Sequence, residues 1–279
     1  MNLRRVLLIP ALAVAVAACS LGSSAAPISA VPSAAASAAS SPAAIELQVY
    51  AAASLKAALA QAATAYQAAN PGITITVSTD SSTALETKIE QGAPADVFLS
   101  ADMKNPQTLV DKGLASGRVV KFAGNLLTVI VPTANPAAIR TPADLANVGV
   151  KVIAAADGVP IQKYTATLIG NLARQPGYPA DFAAKYTANV VSKEDNVGAI
   201  VAKVGLGEGD AGIVYVTDAS TSTQVATVVI PAGANVPATY GGVTLKASPH
   251  VDAASSFLTW LAGPDGQAIL GSFGFLPGK

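Results

Sequence analysis

The sequence has 279 residues, with 17 Lys+Arg balanced by 17 Asp+Glu, one histidine and one cysteine. An even balance without a run of Lys or Arg argues against a nucleic-acid partner, which needs a basic stripe. A single thiol excludes an internal disulfide framework, and one histidine with one cysteine excludes a histidine- or cysteine-based metal cluster.

At the N-terminus, Arg4 and Arg5 precede an apolar run from Val6 to Ala18, and Cys19 follows. A membrane-spanning helix needs about 20 apolar residues and a charged stop, so residues 1–18 read as a signal peptide. Val16-Ala17-Ala18-Cys19 resembles a bacterial lipobox, which implies cleavage before Cys19 and a thioether-linked diacylglycerol on it. Two acyl chains hold a protein on a membrane, whereas one binds only marginally. From Ser20 to Ala44 the chain is mostly Ala, Ser and Pro and carries no charge. Such a segment buries too little apolar surface to offset its ordering entropy, so residues 19–44 read as a lipidated cysteine and a tether. Loss of Arg4 and Arg5 with the leader leaves two more acidic than basic residues.

From Ile45 onward, strands and helices alternate. Glu46 to Tyr50 predicts a strand, and Ala51 to Ala69 a helix with Leu55, Leu59, Ala62 and Tyr66 on one face. Asn70-Pro71-Gly72 stops that helix, and the β-branched alternation from Ile73 to Val77 predicts the next strand. A helix over Thr83 to Gln91 and a strand over Asp96 to Leu99 complete βαβ units, which favour a parallel sheet in an α/β fold. Leu126 to Val131 and Val150 to Ala155 predict strands, each followed by a helical stretch. Gly212 to Val216 and Val225 to Ile230 predict two more. Phe257, Trp260 and Leu261 mark the core face of a helix that breaks at Gly263-Pro264.

Enzyme chemistry finds no footing. His250 has no nucleophile partner, no serine is followed by lysine three residues on, and no G-x-S-x-G elbow or P-loop occurs. Gly205-Leu206-Gly207-Glu208-Gly209 reads as a flexible turn. Two strand-to-helix junctions are instead rich in hydroxyls: Ser54 after Tyr50-Ala51-Ala52-Ala53, and Ser81-Ser82-Thr83. Hydroxyls there serve as N-caps. The same helix starts present free N–H groups and a positive dipole end, which together favour an anion. Capping alone and anion binding both account for these residues.

Four strings carry a family resemblance: Ala51 to Leu55, Gly92 to Asp102 (GAPADVFLSAD), Asp210 to Ala219 (DAGIVYVTDA) and the Gly274-Phe275-Leu276-Pro277 ending. In this order they resemble the molybdate-binding proteins of ABC importers from about Ile45 to the C-terminus. The resemblance implies a two-lobed periplasmic-binding-protein fold of type II, each lobe a mainly parallel sheet flanked by helices, with ligand in the inter-lobe cleft. Lobe one would comprise residues 45–126 with 232–279, and lobe two residues 127–231. The chain would cross near Asn125 to Thr128 and return near Ile230 to Asn235.

By the same resemblance the oxyanion contacts fall on Ser54, Ser82, Ile161, Val197 and Tyr215. Ser54 and Ser82 would donate hydroxyl and backbone N–H, Ile161 and Val197 backbone N–H alone, and Tyr215 its phenol. The implied ligand is molybdate or tungstate, with no cofactor, no resident metal and no catalysis. The implied partners are the permease and ATPase subunits of the importer, and the expected state is a monomer anchored outside the membrane through Cys19. Asp80, Ile161, Gly198 and Ala199 depart from the residues usual in that family. A carboxylate at Asp80 repels an anion unless it is turned away. Sulfate and phosphate are the alternative ligands. A ferric site on this fold needs clustered tyrosines with histidine or carboxylate, and Tyr164, Tyr186 and Tyr215 are scattered in sequence.

Overall fold

A computed structural model describes residues 44–278. The signal peptide, Cys19 and all but the last residue of the tether lie outside the described residues. The first strand, β1 (Ile45–Ala52), runs two residues past its predicted end. Ala51 and Ala52 are small enough to be buried where β1 pairs with its neighbours. A 3-10 turn over Ala53–Leu55 then leads into α1 (Lys56–Ala69), which stops at Asn70-Pro71-Gly72, with Gly72 at φ +100°. There follow β2 (Ile73–Asp80), α2 (Ser82–Glu90), β3 (Val97–Ser100), α3 (Lys104–Asp111), β4 (Ala115–Asn125) and β5 (Leu127–Pro132).

A 3-10 turn, Pro142–Ala146, stands where a full helix was predicted after β5. Pro132, Pro136 and Pro142 remove the N–H groups a helix there would need. Next come β6 (Val152–Ala155), α4 (Pro160–Leu172), α5 (Phe182–Ala188), β7 (Val190–Glu194), α6 (Val197–Gly205) and β8 (Ala211–Tyr215). The chain ends with α7 (Val216–Ser220), β9 (Val225–Val228), β10 (Ala238–Leu245), α8 (Val251–Ala262), α9 (Pro264–Ser272) and β11 (Leu276–Pro277). No helix among the described residues is long and apolar enough to cross a membrane.

The strands form two sheets, ordered β11-β4-β10-β3-β1-β2 and β7-β6-β8-β5-β9. The parallel pairing expected of βαβ units holds for β2-β1-β3 and β7-β6-β8. The remaining pairs, through β10, β4 and β11 in one sheet and β5 and β9 in the other, are antiparallel, so each sheet is mixed. This is the two-lobed periplasmic-binding architecture, with one sheet at the centre of each lobe.

Only Leu126 separates β4 of the first sheet from β5 of the second, and the return runs between β9 and β10. The two crossings are pinned together by Asn235, whose amide donates to the Leu127 carbonyl at 2.8 Å and accepts the Leu127 N–H at 3.1 Å. In the first lobe Tyr66 meets Phe257 and Trp260 edge-on, each at 5.1 Å, which is the core role predicted for those aromatics. In the second, α6 lies hard against β8. A Cβ on Gly212 would sit 2.6 Å from Ile200, so glycine is what allows the helix to approach this closely. That approach brings the start of α6 beside the end of β8.

Candidate functional site

The ends of strands and the starts of helices from both sheets meet at one small cavity. β1 and its 3-10 turn contribute Ala52, Ala53 and Ser54, and the β2–α2 junction contributes Asp80, Ser81 and Ser82. From the other sheet come Val159 and Pro160 at the start of α4, Asn196 and Val197 at the start of α6, and Tyr215 at the end of β8. The cavity is tight, with open space of only about 10 Å³, so the groups around it lie close enough to meet on a small compact ligand. Larger hollows of about 760 Å³ beside Arg140 and about 460 Å³ beside Tyr186 gather no comparable set of helix starts.

The helix starts are organised so that some donors are occupied and others are free. Ser81 caps α2, its Oγ accepting the Ala84 N–H at 3.2 Å, and Asn196 caps α6 by accepting the Ala199 N–H at 3.1 Å. These caps leave the first N–H groups of each helix unpaired, as at any helix start. In α4 the first residue is Pro160, which has no N–H, and no side chain caps the helix. The first donor of that helix is therefore Ile161. Ile161 itself is wholly buried and, unlike the other four expected contacts, is not among the residues that line the cavity; its neighbours Val159 and Pro160 are. Ser54, Ser82, Val197 and Tyr215 are all brought to the wall.

The side chains sharpen the pattern. The Ser82 Oγ accepts the Ala101 N–H at 3.0 Å, so its own proton is available to donate. Ser54 does not cap α1, contrary to the ordinary role of a serine at that junction, because the 3-10 turn is preceded by Ala52 and carries no side-chain cap. Its Oγ lies 2.8 Å from the Tyr240 hydroxyl instead. Tyr215 is 1% exposed, and its hydroxyl is the one buried side-chain polar atom among the described residues with no hydrogen-bond partner. Native proteins pair nearly all such atoms, so an unpaired one at a cavity wall points to an acceptor from outside the chain. Burial raises the Tyr215 phenol well above its ordinary pKa, which keeps it a neutral donor.

Asp80 lines the cavity, but both of its carboxylate oxygens are engaged. One carboxylate oxygen accepts the Ser81 N–H at 2.8 Å and the other pairs with Lys88 at 3.0 Å along α2. Tyr164 and Tyr215 are not apart in space as they are in sequence: their rings meet edge-on at 6.5 Å, while Tyr186 faces a different hollow. A ferric centre gains nothing from this, because burial raises both phenols and disfavours the phenolate a ferric ion needs. No group of three His, Cys, Asp or Glu able to hold a metal occurs among the described residues.

Sequence reasoning missed Asn125, Asp218 and Tyr240. Asp218, the third residue of α7, accepts the Tyr215 N–H at 3.1 Å and so holds the end of β8. Burial pushes its pKa up to about 7. Because the folded value lies above the ordinary carboxylate value of 3.8, folding favours the protonated form. The associated stability is complete below about pH 4 and is lost as pH rises to about 7. Asp218→Asn keeps an acceptor without the charge. The variant is expected to lose about 2 kcal/mol less stability than the parent between pH 5 and 8, read from denaturant midpoints across pH. Parallel profiles for the two proteins would refute this.

Residues 47–276 match the family of bacterial extracellular solute-binding proteins. The molybdate-binding protein ModA of Mycobacterium bovis is 34% identical over 228 residues, covering 81% of this chain and 83% of that one. ModA of Haemophilus influenzae is 30% identical, covering 82% and 89%. Among solved structures, the substrate-binding domain of a molybdenum ABC transporter from Clostridium difficile superposes with a TM-score of 0.63 at 29% identity, covering 84% of this chain and 100% of that one. The periplasmic molybdate-binding protein of Azotobacter vinelandii gives 0.70 at 24% identity with the same coverage, a likeness of fold. The chain belongs to the bacterial extracellular solute-binding protein family.

Proposed function

We propose that this protein captures molybdate, or tungstate of the same shape and charge, and delivers it to the permease and ATPase subunits of an ABC importer without converting it. The observation that carries the reading is the buried, unpartnered Tyr215 hydroxyl at a wall shared with Ser54, Ser82 and the start of α6. Ser54, Ser82 and Tyr215 would donate hydroxyls, and Ile161 and Val197 backbone N–H groups. The names of the relatives at 34% and 30% identity support the choice of anion.

The cage contains no Lys or Arg, and its potential comes from helix starts. Hydrogen bonds to a charged acceptor contribute about 1.5–3 kcal/mol each, so five to seven give roughly 8–20 kcal/mol before ordering losses, against the roughly 8 kcal/mol of micromolar binding. With both Asp80 carboxylate oxygens engaged by the Ser81 N–H and Lys88, the proton of hydrogen phosphate meets only donors, and donors spaced for molybdate would not all reach the smaller sulfate. Calorimetric titration with molybdate, tungstate, sulfate and phosphate is the test. Sub-micromolar molybdate with weak sulfate and phosphate is expected; tight sulfate or phosphate without molybdate binding would overturn the assignment.

On this reading lobe one is residues 45–126 with 232–279 and lobe two is 127–231, hinged at the two crossings. Ligand favours closure because only the closed state presents both sets of donors. The Thr83 hydroxyl, beside Ser82, donates to the Gly158 carbonyl at 2.7 Å from the other side of the cleft. Thr83→Val is expected to speed molybdate dissociation about threefold in stopped-flow chase experiments; an unchanged rate would show the bond to be incidental. Diacylglycerol on Cys19 would hold a monomer outside the membrane within reach of the importer, which metabolic lipid labelling of the protein and its Cys19→Ala variant would check.

A further inference from the structure

Ser82 and Ser54 are both held as donors, but by different means. For Ser82 the oxygen accepts a backbone N–H, that of Ala101 at 3.0 Å, which orients the hydroxyl. For Ser54 no N–H is used, and the neighbour is the Tyr240 hydroxyl at 2.8 Å, a contact in which either oxygen could donate. The direction is decided one step further back, at Asn125.

Asn125 is fully buried at the end of β4. Its amide oxygen accepts the Leu126 N–H at 3.0 Å, which fixes which way the amide faces. The amide nitrogen then donates to the Thr217 hydroxyl at 2.8 Å and to the Tyr240 hydroxyl at 3.3 Å. Tyr240 is fully buried and touches no other hydrogen-bonding group besides Ser54. Asn125 offers it only a donor, so the Tyr240 proton has one acceptor available, the Ser54 Oγ. The reverse arrangement would strand a buried O–H without an acceptor, which proteins avoid. With its oxygen engaged by Tyr240, Ser54 has its own proton left for the cavity it lines.

We infer that Tyr240, held by Asn125, is a positioning residue that fixes the Ser54 hydroxyl as a donor to the bound oxyanion and so helps exclude protonated oxyanions. This rests on the reading of the cavity as an oxyanion site. Without Tyr240's hydroxyl, Ser54 can rotate and accept a hydrogen bond, which is what the proton of hydrogen phosphate lacks in the parent cage.

Tyr240→Phe tests this with little disturbance, because the ring and its edge contacts with Tyr215 at 5.7 Å and Phe275 at 5.5 Å are kept. Competition titrations at pH 7.5 would compare molybdate with inorganic phosphate for the parent, Tyr240→Phe, Ser54→Ala and the double variant. Expected is a three- to tenfold loss of molybdate affinity in Tyr240→Phe, with the molybdate-to-phosphate preference falling at least tenfold. On the Ser54→Ala background, Tyr240→Phe should have no further effect on either. Asn125→Ala should shift the preference in the same direction by about threefold, and it serves should Tyr240→Phe not fold. An unchanged preference in the folded variant, or a full additive loss in the double variant, would overturn the role of Tyr240 while leaving the site intact. If Ser54→Ala itself leaves molybdate binding unchanged, the site reading fails and this inference fails with it.

Discussion

Tyr215→Phe is expected to make the ligand-free protein more stable while weakening molybdate binding by roughly 10- to 150-fold. The two effects have one cause. The Tyr215 hydroxyl is buried with no partner in the protein. Removing it takes away an unmet desolvation penalty, worth about 1 kcal/mol in the free protein. The ring remains packed against Tyr164 and Tyr240 at 6.5 and 5.7 Å, so no cavity opens in the core. In the complex the same hydroxyl would donate to a dianion, a bond worth about 1.5–3 kcal/mol, and that is what the variant forfeits. Thermal denaturation without molybdate and calorimetric titration with it read the two effects separately. A lower melting temperature, or an affinity equal to the parent's, would show that Tyr215 is a structural phenol and not part of the cage.

Val197→Pro is expected to weaken molybdate binding 10- to 100-fold without unfolding α6. Val197 is the first residue of that helix, where proline is tolerated because its fixed φ suits the first turn. The preceding Asn196 is extended, at φ −156° and ψ 165°, which is the conformation a residue before proline adopts. The cap from Asn196 to the Ala199 N–H does not involve residue 197 and survives. What disappears is one backbone N–H at the cavity wall. Val197→Ala is the control: it trims the side chain and keeps the donor, and its affinity should stay within about threefold of the parent's. Equal affinities for the proline and alanine variants, with helix content unchanged by circular dichroism, would remove the Val197 N–H from the binding site.

Much of the local structure was legible from periodicity, and each miss has its own physical origin. The strands that mispredict least are apolar runs buried on both sides, such as the run at β8. β4 and β10 were missed because their composition hides them: β4 begins Ala-Ser-Gly-Arg and is exposed over much of its first half, while β10 carries Gly241 and Gly242. Both are strands because of their neighbours. β10 pairs with β3 on one side and β4 on the other, and cross-strand pairing outweighs weak local propensity. The helix predicted after β5 failed for a local reason, its prolines, which the apolar spacing had obscured.

The sequence alone narrowed the hydroxyl-rich helix starts to two readings, capping and anion binding. Hydroxyls at two strand-to-helix junctions, one histidine, one cysteine and no basic run leave little but neutral helix-start donors to meet an anion. Which of those donors are free was decided only by tertiary contacts. Ser54 looks like a cap in sequence and is instead held by Tyr240, 186 residues away, and Tyr240 in turn by Asn125, 115 residues away. Asp80, the last residue of β2, looks repulsive in sequence and is tied to Lys88 on α2. A hydroxyl's role depends on what occupies its other hydrogen-bonding positions. Those occupants come from distant strands, and their identity enters only when the sheets are assembled.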